Sequence, residues 1–435
     1  MQTTLLLGQT LRFRNDPFLH GLDGAVEHHH TGAVALKGGR IVAVGDRSAL
    51  RASYPQRQEI DHGTALLLPG FVDAHAHYPQ TAIIASWGKR LIDWLNDYTF
   101  PEEMRFSDLS YARQIAKRYF DLSLSNGITS SALFATVHPQ SVDAVMAEAQ
   151  TRGLRVLAGK VMMDRNAPEG LCDTAQSSYD DSAALITKWH GQDRLRYAIT
   201  PRFAPTSSPA QLEAAAALWA AHPDTALQTH LSEQREEIAW VRDLFPKARD
   251  YLDVYEQAGL LGQGGIFGHA IHLEDRERTA LSQAGASIAH CPTSNTFIGS
   301  GLFQLARARA DGITVGLATD VGGGSSFSML RTMAAAYEVG QLTGRALHPA
   351  ELLWTATEAS ARALGLGGVI GTLSPGAEAD VIALDLASTP VIAQRAARAQ
   401  DVWEALFPTL MLGDDRAISA VYIQGNPWPA TQPTP

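Results

Sequence analysis

Between residues 66 and 370, short strand-like apolar runs recur roughly every 30 to 40 residues, separated by Ala/Leu-rich stretches of helical character. Strands that alternate with helices in this way build parallel βα units, because each helix carries the chain back to the starting edge of the sheet. The runs lie at 66–73, 128–134, 155–163, 195–200, 225–229, 264–268, 286–289 and 314–319. Eight is the number a closed (β/α)8 barrel needs. Eight could also form an open doubly wound sheet, so the polar residues decide. Strand one runs into His75 and His77, strand four into Arg202, and strand five into His230 and Glu233. Strands six, seven and eight reach His269, His290 and Asp320. A barrel gathers all C-terminal strand ends around one mouth, whereas an open sheet would spread them along a row. The expected fold is therefore an α/β chain with a TIM barrel over residues 66–370.

The first βα connection, from about residue 74 to a helix near Ser110, carries Trp87, Trp94 and Tyr98. Connections of this length are commonly lids or binding loops; a packed helix over 89–96 with no contact to ligand is the other reading. Residues 1–65 and 371–435 differ from the rest. Their runs at 5–7, 11–13, 33–36, 40–44, 379–384 and 417–424 are short and broken by turn chemistry such as Ser374-Pro375-Gly376. Neither end holds enough apolar surface to fold alone. Barrel termini lie close together, so the two ends are expected to pair into one small composite β-sandwich domain. His28, His29 and His30 read as a solvated loop between strands.

A chain of 435 residues can bury a large core without a structural metal, so a metal here would serve chemistry. A net charge of −10 with no run of Lys and Arg argues against a nucleic-acid partner. Two cysteines, Cys172 and Cys291, are too few for a disulfide framework or a Cys-rich zinc module. They are expected as small buried side chains in a reducing cytoplasm. Leu5-Leu6-Leu7 is too short for a signal-peptide core, and no stretch approaches the ~20 apolar residues of a membrane span. A cytoplasmic location away from membranes is expected.

Residues two apart on a strand point the same way, so His75 and His77 can reach one ion. His230 can add a third imidazole. Glu233, three residues on, can reach a water without ligating and act as general acid/base, or it can serve as first-turn charge of a helix. His269 and Asp320 close the set. Buried carboxylates need partners, and a metal ion would be one for Asp320; the glycines that follow it permit close approach to a ligand. Imidazole with carboxylate suits Zn²⁺ or Fe²⁺. A catalytic metal with an open position makes water a nucleophile, which implies a hydrolase.

These residues carry a resemblance. The run Leu68-Pro-Gly-Phe-Val-Asp-Ala-His-Ala-His77 resembles the first-strand signature of the amidohydrolase superfamily, and His230, His269, His290-Cys-Pro-Thr-Ser-Asn295 and Thr319-Asp320 follow in that order. Within it, His77-Tyr-Pro-Gln80, Leu95-Asn-Asp-Tyr-Thr-Phe-Pro101, Lys160-Val-Met-Met-Asp164, Thr200-Pro-Arg-Phe203 and Thr229-His-Leu-Ser-Glu233 are similar to the guanine deaminase family. The resemblance implies hydrolytic deamination of guanine to xanthine and ammonia, in purine breakdown, with one zinc ion per subunit of a homodimer. It places metal ligation on His75, His77, His230 and Asp320, with His269 either ligating or just outside. It places the proton shuttle on Glu233, with Asp320 and His269 orienting the water. It places purine contacts on Tyr78, Pro79, Gln80, Arg202 and Phe203, beside His77, His230 and Asp320. Arg202 would donate to the purine O6 and Gln80 to a remaining polar edge. The polar segment around 21–31 is longer than the family pattern needs. A pterin, adenosine-derivative or triazine deaminase is the alternative within the superfamily. From a different class, a catalytically silent barrel would lack a ligand or the glutamate, and here none is missing.

Overall fold

Strands buried on both faces read as continuous apolar runs, and the barrel strands meet that condition. The computed structural model describes residues 2–87 and 90–428. The N-terminal segment gives β1 (Thr3–Phe13), β2 (Val26–Lys37), β3 (Arg40–Asp46) and β4 (Arg57–Pro69). The barrel follows with β5 (Phe71–His77), β6 (Ile128–Phe134), β7 (Arg155–Gly159), its short continuation β8 (Val161–Met162), and β9 (Leu195–Pro201). It is completed by β10 (Ala226–Leu231), β11 (Gly265–His269), β12 (Ser287–His290) and β13 (Thr314–Leu317). The chain ends in β14 (Val381–Leu384), β15 (Ile418–Ile423) and β16 (Asn426–Pro427).

The barrel strands pair in parallel in the order β13-β12-β11-β10-β9-β7-β6-β5, with β8 on β9. Backbone bonds from Asp320 N to His75 O (2.9 Å) and from His77 N to Val321 O (2.8 Å) join the two ends. An apolar cluster draws Val72, Ala132, Leu157, Ala198, Ala226, Ile266, Ala289 and Ala318 from around the ring. A larger cluster fills the space between strands and helices. Among the described residues no helix is long and apolar enough to cross a membrane.

Both termini share a second sheet, in the order β16-β15-β14-β4-β1-β2-β3. The run expected as one strand over 66–73 is divided. Leu66–Pro69 pair with β14 in the terminal sheet, and the barrel strand starts at Phe71. Gly70 makes this junction, because a Cβ there would collide with Thr129. The expected strand over 155–163 is likewise broken at Lys160. His28, His29 and His30 lie inside β2 rather than in a loop. Glu27 Oε1 holds His29 Nε2 at 2.8 Å, and Gln9 Oε1 faces His28 Nε2 at 3.3 Å. These polar partners let the histidines sit in a sheet. The extra length around 21–31 is a helix, Pro17–Ala25, kinked at Gly21, that leads into β2.

The terminal sheet is tied to the N-terminal side of the barrel by buried charge. Arg194 reaches both Glu378 and Asp380, and Arg155 also reaches Glu378. Helix Val402–Leu412 returns to the barrel and packs on Met329–Leu342, and Pro390–Ala396 packs against it.

Candidate active site and metal centre

The register of β5 against β6 shifts between Asp73 and Ala76. A shift of this kind re-aims side chains at a strand end. Val72 and Ala74 belong to the inner cluster, while Ala76 belongs to the outer one. His75 and His77 then meet His230, with ring centroids 4.8 and 5.1 Å away.

Four of the eight non-glycine residues with positive φ among those described are Ser232, His269, Ala270 and Asp320. Such conformations cost energy and persist where the surroundings enforce them. His269 ends β11, and Ser232, Ala270 and Asp320 lie just past the ends of β10, β11 and β13; His269 and Asp320 line the mouth. Asp73 supports the last of these turns: its carboxylate accepts the Thr319 N–H (3.0 Å) and hydroxyl.

The side chains converge closely. Asp320 Oδ1 lies 3.4 Å from His75 Nε2 and 3.7 Å from His77 Nε2. Asp320 Oδ2 lies 3.7 Å from His269 Nε2, which stands 3.6 Å from Glu233 Oε2. His230 Nδ1 donates to the Arg202 carbonyl at 2.7 Å, so its Nε2 presents a lone pair, 3.1 Å from His77 Nε2. His269 Nδ1 meets Asn295 Oδ1 at 2.8 Å, which points its Nε2 at the two carboxylates.

Burial holds His75, His77 and His230 below the ordinary histidine value, which keeps them neutral. Burial also pushes Glu233 up to about 7. For Asp320 burial acts upward, but His75 and His269 outweigh it and hold the carboxyl below its usual range. The opposite balance raises His269: burial opposes its charge, and Glu233 with Asp320 restores it.

These residues fit a divalent cation. Among the described residues the buried His75 Nε2, which faces Asp320, has no hydrogen-bond partner, and uncompensated polar atoms are costly to bury. Donor atoms of His75, His77 and His230 all lie within 4.8 Å of one another, as do those of His75, His269, Cys291 and Asp320. Nitrogen and carboxylate donors are the set that zinc and iron take in catalytic sites. Cys291 is buried as expected, yet its sulfur lies beside the donors. Burial pushes its thiol well above the ordinary range, so it stays protonated.

Above the donors opens a narrow cleft. Its polar wall includes Gln80, Arg202, Glu233 and Asp320, and Phe203 packs at its side. Leu91 and Leu95 reach it from the long first connection, which forms short helical turns over Tyr78–Ile83 and again from Leu91 to Ser107. The connection is helical here, yet two of its residues line the cleft, which favours the binding-loop reading over a helix set apart from the site. The part of the 89–96 helix expected at Lys89 lies outside the described residues.

Two expectations need correction. Tyr78 and Pro79 do not line the cleft. The Tyr78 hydroxyl donates to the Ser141 carbonyl at 2.6 Å, and its ring packs on Phe106, because the chain turns into a 3-10 helix at this point. Gln80 does line the cleft, and it gives one of its two amide N–H groups to Glu103 Oε1 at 3.0 Å. His290 ends its strand but packs on Phe303 outside the cleft.

Glu103 was not legible as a site residue. It is fully buried, and Arg202 Nη1 also donates to it, at 2.7 Å. Ser300 and Asn295 were missed as well. Their partners, Glu233 and His269, are distant in sequence, and nothing in a local pattern announces such pairs.

The Amidohydrolase family profile matches residues 66–427. The chain belongs to the amidohydrolase family. As an amidohydrolase it is 45% identical to the guanine deaminase of Escherichia coli, over 91% of this chain and 90% of that protein. The solved E. coli guanine deaminase superposes with a TM-score of 0.96 at 42% identity, covering 98% of this chain and 99% of that one. A guanine deaminase from C. acetobutylicum, solved with guanine bound in its active site, gives 0.89 at 28% identity, with 98% and 100% covered. Residues 32–56 also match an imidazolonepropionase-like composite domain of bacteria, within the terminal sheet.

Proposed function

We propose that this amidohydrolase deaminates guanine hydrolytically, giving xanthine and ammonia, with a zinc ion held by His75, His77, His230 and Asp320. The observation that carries the reading is the buried donor cluster beside Glu233, at the base of a cleft walled by Gln80 and Arg202. The likeness to guanine deaminases supports guanine as the substrate. Iron(II) suits the same donors. Once bound, the cation supplies Lewis acidity, which makes water a nucleophile near neutral pH.

The chain's own residues do the rest. Arg202 donates to the purine O6, and Phe203 packs against the ring. Water adds to C2, and Glu233 takes its proton at Oε2 and delivers it to ring N3. That transfer makes C2 more electrophilic. A carboxyl raised to about 7 both accepts and releases a proton at neutral pH. His269, between Glu233 and Asp320, orients the water or joins the ligands. Asp320 passes the second proton towards the amine. The C2–O bond forms, the C2–N bond breaks, and the amino group leaves as ammonia. A homodimer and a place in guanine breakdown belong to the same reading and rest on the family resemblance; a cytoplasmic location rests on the composition of the chain.

Ammonia release from guanine, measured before and after chelation and alongside elemental analysis, tests the reading. Expected are turnover by zinc-loaded protein, loss on chelation and recovery on zinc addition. No ammonia from guanine with metal-replete protein would overturn it.

A further inference from the structure

Glu103 stands behind the wall of the cleft, not in it. It comes from Phe100–Met104, a short helix of the first connection, and is fully buried. One of its oxygens accepts Gln80 Nε2 at 3.0 Å and the other accepts Arg202 Nη1 at 2.7 Å. Both donors are themselves buried and both line the cleft. No part of the mechanism above uses this carboxylate.

A carboxylate can only accept. Gln80 must therefore turn its NH₂ group towards Glu103. The Gln80 carbonyl oxygen is left on the other side, against Gly322, where a side chain would collide with it. Arg202 spends part of its guanidinium on Glu103 and keeps further N–H groups in its fork. The wall thus presents a donor from Arg202 beside an acceptor from Gln80.

We propose that Glu103 is a positioning residue that makes this wall selective for a lactam edge, a ring carbonyl next to a ring N–H. The inference rests on the guanine reading and sharpens it. A 6-oxo purine offers O6 as acceptor and N1–H as donor, which matches the wall. A 6-amino purine offers the reverse, an amino donor next to a bare N1, and leaves both wall groups unpaired. A site built of buried polar groups rejects such a ligand strongly. Without the carboxylate, the Gln80 amide is free to turn over and present its NH₂ to a bare N1.

The test compares guanine with 2,6-diaminopurine. Both carry a 2-amino group and release ammonia by the same chemistry, so only the C6–N1 edge differs. Wild-type protein should favour guanine by about 100-fold or more in kcat/KM. In Glu103→Gln, that ratio should shrink by about tenfold or more, with most of the guanine loss in KM rather than kcat. Glu103→Asp keeps an acceptor-only partner and should hold the ratio near the wild-type value even if its activity falls. A ratio unchanged in zinc-loaded, folded Glu103→Gln would overturn the role of Glu103 while leaving the guanine reading intact. Collapse of the ratio in Glu103→Asp to the Gln level would overturn it too, because packing rather than acceptor chemistry would then set the edge. Wild-type protein inactive on guanine would instead overturn the underlying function.

Discussion

Removing the Ser300 hydroxyl isolates how much turnover depends on the orientation of Glu233. Ser300 Oγ donates to Glu233 Oε1 at 2.8 Å, which leaves Oε2 as the oxygen facing His269. A hydrogen bond to a charged group contributes about 1.5–3 kcal/mol. If that whole contribution holds the carboxyl in its reacting geometry, Ser300→Ala should lower kcat by about 10- to 150-fold. The fold should suffer less. The other partner of Ser300, Gln234 Nε2 at 3.1 Å, keeps a second acceptor in the Ile298 carbonyl at 3.3 Å. The hydroxyl leaves only a small void, so melting should shift by a few degrees at most. Steady-state ammonia release, metal content and thermal unfolding separate the two effects. Ser300→Thr keeps a hydroxyl at the same branch and should recover most of the rate. A kcat for Ser300→Ala within about twofold of wild type, at full metal content, would show that Glu233 needs no such anchor.

Glu233→Gln should retain its zinc, measured by elemental analysis, and lose about 10²- to 10⁴-fold in kcat; near-native ammonia release would remove Glu233 from proton transfer. Gly322→Ala places a Cβ into the Gln80 side chain, so the KM for guanine should rise about tenfold or more while zinc content holds; unchanged kinetics would mean that Gln80 does not contact the base. Burial pushes Glu378 upward, but Arg155 and Arg194 outweigh it and hold its carboxyl below the ordinary 4.5. A folded value below the unfolded one adds stability that is complete above the unfolded value and lost as pH falls through the folded one. Thermal unfolding between about pH 6 and pH 3 should therefore fall less steeply for Glu378→Gln than for wild type; equal slopes would remove Glu378 from acid unfolding.

What the sequence made legible follows from how locally each feature is encoded. A histidine or aspartate at the end of an apolar run is a local signal, and His75, His77, His230, His269 and Asp320 all come together where that signal placed them. The limits of the first strand were less legible, because the apolar run crosses from one sheet to the other without a change in composition. Only Gly70, pressed against Thr129, marks the border. Tyr78 was drawn into the site by its neighbour Gln80, but a 3-10 turn sends adjacent side chains in different directions. Glu103 was the hardest to see. It belongs to a connection without strand or helix periodicity, and its two partners lie 23 and 99 residues away.

The closure of the barrel and the assembly of the site are one set of contacts. The ends of the parallel sheet meet through Thr319 on Asp73, Asp320 on the His75 carbonyl, and His77 on the Val321 carbonyl. Each of these links either involves a donor residue or lies next to one. In an open sheet the first and last strands would be far apart, and Asp320 could not stand 3.4 Å from His75. The polar strand ends that argue for a barrel are therefore also the residues that close it. A cation shared by the first and last strands would tighten that seam, because binding to the folded state alone stabilises it in proportion to occupancy. Metal-stripped protein should then melt at a lower temperature than the zinc-loaded form. Hydrogen exchange should loosen first at the β5–β13 seam; loss of protection spread evenly around the ring would separate the site from the closure.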